Sequence, residues 1–216
     1  MMSKQKLSQD EIDKIVVAGR VVSKPSMCGV GTVDVDFQTC QDGKLIWQYK
    51  LWINMLSRCF RPEYKEAHQT YELATVCDEW LSFANFLGWC NKEVAYNGKP
   101  DGMSLDKDLI IRGNKTYSPE ACSFVPKPIN NLTLSSAAAR GLWPVGVTYR
   151  KRDGRFVAKL NCHGRTTGVG YFDCPQEAFQ AYKIAKEAQI KVVALQYKNM
   201  LKPAVFESLM GWEIEP

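Results

Sequence analysis

Apolar side chains recur at helical spacing in the first half of this chain and at strand spacing in much of the second. Trp47, Leu51, Met55 and Leu56 fall on one side of a helix that ends near Cys59, where Arg61-Pro62 breaks it. Phe83, Phe86, Leu87 and Trp89-Cys90 mark a second amphipathic helix over residues 81–90, with residues 75–77 extended between the two. Residues 105–111 and 122–125 read as strands. Gly113-Asn114 and Ser118-Pro119 supply turns between them, and Pro128 suits the first turn of a short helix. Asp106 and Asn130 then face each other across a small ββα unit.

Further along, Asp153-Gly154 joins two strands in a hairpin, and His163-Gly164 turns the chain into a third strand ending near Phe172. Phe156, Ala158 and Leu160 alternate with Arg155, Val157 and Lys159, so one face of this sheet packs and the other carries cations. A helix follows: Asp173 with Gln176 fits a capping box, Pro175 is tolerated in a first turn, and Ala178, Phe179, Tyr182 and Ala185 form an apolar stripe. Val205, Phe206, Leu209 and Trp212 make an apolar patch in the tail, expected to pack on the body, with a dimer contact as the alternative. Toward the N-terminus, residues 9–17 read as a short helix and the stretch from Gly29 as a strand or hairpin arm. Residues 91–103 form a polar connector.

Two resemblances rest on these residues. The run with Asp106, Asn114, Cys122, Phe124 and Asn130 resembles the HNH-type, ββα-metal endonucleases, in particular the homing-endonuclease-like members of bacteriophages. The resemblance implies that Asp106 and Asn130 hold Mg²⁺ or Mn²⁺, that Asn114 steadies the loop, and that Lys107 occupies the position of the general-base His. The later run resembles the Apetala and ethylene-response-factor (ERF) type of DNA-binding domain. It does so through Gly146-Val147, Gly154, Phe156-Val157-Ala158, Gly170-Tyr171-Phe172-Asp173, Glu177-Ala178 and Ala181-Tyr182. That resemblance implies a sheet lying in the major groove with Arg150, Arg152, Arg155, Lys159 and Arg165 toward DNA. The aromatic contact of the family's third strand falls here near Gly168.

Charge points the same way. Residues 140–165 hold seven Lys or Arg against the single acid Asp153, while the whole chain carries +5. A basic face on a small sheet is what counterion release from nucleic acid uses. Arg112 and Lys115 are candidates to neutralise phosphate near Asp106, as are Arg58 and Arg61. No apolar stretch is long enough to span a bilayer, and the N-terminus lacks a signal-peptide core, so a cytoplasmic protein is expected, in the host cytoplasm if phage-encoded. The eight cysteines contain no CxxC pair and read as packed thiols. The alternative, a structural zinc on Cys59, His68, Cys77 and Cys90, has loose spacing. His68 is also a candidate base supplied from outside the ββα unit.

The expected fold class is therefore α+β: a helical N-terminal region leading into an HNH-like ββα unit, then a three-stranded antiparallel sheet packed on one helix. Residues 1–44 have no readable role, 45–134 form the nuclease-like domain with its ββα unit at 105–132, and 135–142 a linker. Residues 143–191 form the DNA-binding domain and 192–216 a helical tail. The expected function is a DNA endonuclease or nickase acting on double-stranded DNA as a monomer or weak dimer. The alternative is an inactive descendant that regulates or inhibits by binding DNA or a host protein.

Overall fold

The first helix begins where the sequence supplies a cap. Ser8 accepts the backbone N–H of Glu11 and Glu11 reaches back to the Ser8 N–H (2.8 Å), a reciprocal box that starts α1 (Gln9–Ile12). The computed structural model describes residues 4–16, 24–97, 102–133, 142–162 and 164–215. The chain divides into two compact units, Met1–Val125 and Pro126–Pro216. This division precedes the small-residue linker, of which residues 135–141 lie outside the described set, as do Val17 and His163. No helix among the described residues is long and apolar enough to cross a membrane.

In the first unit α1 is followed by the hairpin β1 (Cys40–Gln41) and β2 (Lys44–Leu45), turned by Asp42-Gly43 with φ of 47° and 75°. The alternation from Gly29 holds, with Val35 and Phe37 buried, but this stretch makes isolated bridges to Gln5 and Ser82 rather than a long strand. Next come α2 (Trp47–Phe60), α3 (Pro62–Ala67), β3 (Thr75–Val76) and α4 (Phe83–Asn97). On α2 the fully buried apolar residues are Trp52, Met55, Leu56 and Cys59, with Trp47 and Leu51 at the margin of the expected stripe. Trp52 is favoured at the centre because its indole N–H finds the Trp80 carbonyl at 2.7 Å, and a buried indole needs such an acceptor. Arg61 leaves helical geometry (ψ 117°) and Pro62 restarts the chain as α3.

Several polar groups inside this core are paired, although the buried Trp80 indole N–H meets no acceptor among the described residues. Asp34 accepts the Ser82 hydroxyl (2.7 Å) and the Ala84 N–H (2.9 Å), capping α4 from a distant segment. Gln48 donates to Asp13 (2.8 Å) and Asn91 (2.9 Å), and Asn91 in turn donates to the Ile12 and Ile15 carbonyls (2.7 Å each), tying α1 to α2 and α4. Gly88 permits this approach, since a Cβ there would lie 2.4 Å from the Val16 carbonyl oxygen. After α4 come β4 (Met103–Asp106), β5 (Thr116–Tyr117) and β6 (Ser123–Pro126). β4 pairs with β6, while β5 pairs in parallel with β3.

The second unit opens with α5 (Lys127–Thr133), its Pro128 in the first turn as expected. An antiparallel sheet follows, β7 (Val147–Arg150), β8 (Arg155–Cys162) and β9 (Arg165–Phe172), in the order β7-β8-β9. Val147, Phe156, Ala158, Leu160 and Phe172 pack with Ala178, Phe179 and Tyr182 of α6 (Pro175–Gln196). The cap of α6 is one residue later than the expected Asp173: Cys174 Sγ accepts the Glu177 N–H at 3.4 Å, freeing Asp173 to accept from Arg155 at 3.0 Å. The tail helix α7 (Pro203–Met210) buries Val205 and Leu209. Just beyond it, Ile214 accepts from Lys183 Nζ (3.0 Å) and donates to Glu187 (2.9 Å), both on α6. The apolar tail thus packs on its own unit.

Candidate functional site

Asp106 ends its strand by bonding to the residues that follow. Its Oδ1 accepts the backbone N–H groups of Asp108 (2.9 Å) and Leu109 (2.7 Å), an Asx turn that bends the chain away. The strand expected over 105–111 is therefore β4 up to Asp106, followed by a turn. Asp106 is 9% exposed and Lys107 8%. Asn114 holds the return of the loop: its Nδ2 donates to the Lys107 (2.6 Å) and Thr116 (2.7 Å) carbonyls, and its Oδ1 accepts the Thr116 N–H (3.2 Å). Gly113, with φ of 75°, supplies the left-handed step before it.

Lys107 Nζ donates to Asp108 Oδ2 (3.0 Å) and to the Asn114 carbonyl (3.3 Å) and lies 5.9 Å from the centre of the Tyr117 ring. Arg58 approaches the same tyrosine, with Nη1 3.3 Å from its hydroxyl. Two cations thus share Tyr117, a residue that lies between the turn signals at Gly113-Asn114 and Ser118-Pro119 and is not among the candidates read from sequence. Burial, with the Asp108 charge second, pushes the Asp106 carboxyl up to about 6.

The donor chemistry suits a hard divalent cation. Asp106 has one oxygen fixed by two N–H groups and a second that neither of them engages, and Asp108 lies close enough to repel its charge. Mg²⁺ takes one or two carboxylates when phosphate and water complete its shell. Among the described residues no group of three or more His, Cys, Asp or Glu side chains converges on one point. Arg112 and Lys115 are both exposed near this loop. Asn130 sits half-buried on α5, where its carbonyl accepts the Thr133 hydroxyl (3.3 Å); Asp106 and Asn130 therefore belong to different units.

The zinc alternative is not assembled. Cys59 and Cys90 are buried core thiols, burial pushing Cys59 up to about 11, whereas His68 is exposed with its ring 4.6 Å from that of Tyr64. All eight cysteines are free.

The register of the second unit's sheet sorts the predicted basic residues. Arg150 pairs with Arg155 across β7 and β8, and Val157 pairs with Thr148 and Tyr171, so these side chains share the face away from α6. Arg150 Nη1 donates to the Tyr171 hydroxyl at 2.6 Å, and its guanidinium lies 5.5 Å from that ring's centre. Asp153 pairs with Arg150 (3.2 Å) and with Arg152 of the turn (2.8 Å). Arg165 pairs with Cys162, which by alternation shares the side of Leu160, the helix side. Lys159 sits at the bulge where the β9 partner changes from Gly170 to Gly168. Tyr171, 50% exposed, is the aromatic group of the outer face. It was hidden in the sequence because the bulge breaks the alternation along β9. Comparison with family profiles, with curated proteins and with solved structures finds no match for this chain.

Proposed function

We propose that the chain is an HNH-like, metal-dependent DNA endonuclease or nickase that grips duplex DNA with the outer face of its C-terminal sheet. The observation that carries this reading is the loop after β4. Backbone donors fix Asp106, Asn114 pins the loop's two sides, and Lys107 is withdrawn from water beside two carboxylates. Such preorganisation costs desolvation and charge repulsion, which a purely structural turn does not require. Asp106, with Asp108 beside it, would hold the metal; a bound Mg²⁺ or Mn²⁺ neutralises phosphate charge and acidifies a water molecule.

The protein's own contribution follows from the same contacts. Asp106 Oδ1 is held by N–H donors and so keeps its orientation. Lys107 is a fixed cation for phosphate oxygens rather than a base, since an ammonium donating to a carboxylate and a carbonyl has no lone pair to accept a proton. Arg150 and Arg155, half-buried beside Tyr171, place the backbone of the duplex. The same engagement of Lys107 favours a second reading, a DNA-binding regulator that no longer cuts. Supercoiled plasmid incubated with the protein in Mg²⁺, Mn²⁺ or chelator separates the two. Nicked or linear product with metal alone supports the nuclease, and retarded but uncut plasmid in all conditions supports the regulator.

A further inference from the structure

Among the described residues, the pairing of β7 with β8 ends at Val147 opposite Ala158, and beyond it only Gly146 continues, accepting the Lys159 N–H at 2.8 Å. The space left is a cleft of about 690 Å³ within the second unit, bordered by Lys159 and Asn161 of β8, Lys186 and Gln189 of α6, and Asn131 of α5. Its wall is apolar at Leu132, Val145 and Val193. Among the described residues that line it there are two lysines and no carboxylate.

Lys186 is the unusual member. Its Nζ donates to Gln189 Oε1 at 3.2 Å, while Gln189 Nε2 donates to the Asn161 carbonyl at 2.9 Å, so the amide is clamped between strand and ammonium. The neighbouring carboxylate of α6, Glu187, is engaged elsewhere by Lys183 (2.8 Å) and the Ile214 N–H (2.9 Å). An ammonium drawn out of water with a neutral amide as its partner is under-compensated, and burial lowers its proton affinity. An anion in the cleft would restore what burial removes. The size is that of a small-ligand site, and its chemistry is divided: cations and amides at one side, aliphatic wall at the other.

We propose that this cleft binds a nucleotide, free or at the end of a strand, with the phosphate on Lys186 and Lys159 and the base against the apolar wall. Such binding does not require hydrolysis at the Asp106 loop. The test is calorimetric titration of the full chain with dAMP, deoxyadenosine and inorganic phosphate, alongside the affinity for a covalently closed duplex. Expected is saturable dAMP binding, weakened about tenfold or more in Lys186→Gln and within about threefold of wild type in Lys186→Arg, with closed-duplex affinity unchanged in both. Absence of dAMP binding in the wild type, or equal binding by Lys186→Gln, overturns the site. Deoxyadenosine or phosphate binding as tightly as dAMP overturns the nucleotide assignment. A parallel loss of closed-duplex affinity makes the cleft part of a general DNA surface and also overturns it.

Discussion

Among single residues, Asp106 is the one whose burial affects both stability and the candidate chemistry. Its folded-state value of about 6 lies above the roughly 3.9 of an unfolded Asp, so the native protein holds this proton more tightly than the unfolded chain. The stabilisation is fully present below about pH 4 and is lost as pH rises through about 6, an effect of about 2–3 kcal/mol. Asp106→Asn keeps an oxygen for the Asp108 and Leu109 N–H groups but carries no charge. In chelator, urea unfolding between pH 4 and 8 should show the wild type losing stability relative to the variant across that window, with the variant the more stable at pH 7. Equal pH profiles would sink the buried-carboxylate reading. The thiols make a second prediction. Cys40 is exposed whereas Cys90 and Cys122 are fully buried and Cys59 is pushed up to about 11. Alkylation followed by mass spectrometry should label Cys40 first and these three last.

At the scale of elements, two glycines of one sheet should behave differently. Gly146 and Gly154 both have positive φ, 76° and 63°, so a side chain at either is strained. A Cβ at Gly146 would fall 2.2 Å from the Tyr182 ring, whereas at Gly154 its nearest neighbour is the Tyr149 hydroxyl at 3.9 Å. Gly154→Ala should cost about 1–2 kcal/mol and Gly146→Ala about 2–4, because the ring must also move. Equal losses in thermal or urea unfolding would contradict the packing of α6 on β7. Helices and strands with strong periodicity were legible: the Phe156-Ala158-Leu160 face, the Ala178-Phe179-Tyr182 stripe, the break at Arg61-Pro62 and Pro128 in a first turn, whereas the short helix that Pro62 begins was not. Positions decided by a particular hydrogen bond were not. The β4 strand stops at Asp106 because that carboxylate turns the backbone, and the α6 cap moves to Cys174 because Asp173 serves Arg155. Trp52 displaces its neighbours from the centre of α2 for the sake of one carbonyl.

At the scale of the whole molecule, the candidate site was legible as a set of chemically apt residues and only partly as an arrangement. Asp106, Lys107 and Asn114 are brought together by one loop, while Asn130 falls in the other unit. The basic cluster, continuous in sequence, is divided by the pleat and by a bulge, neither of which composition reveals. If Arg150 and Arg155 each meet a phosphate, replacing both with Ala should reduce the slope of log affinity against log salt by about 2. An unchanged slope would place DNA elsewhere. In the proposed enzyme the grip of the sheet and the cutting group at Asp106 are separate, and one plasmid assay with two variants distinguishes them. In Mn²⁺, Asp106→Asn should bind duplex as tightly as wild type and yield no nicked or linear product. The Arg150→Ala, Arg155→Ala protein should cut once its concentration is raised to restore binding. Undiminished product from Asp106→Asn would show that this carboxylate does not hold the metal.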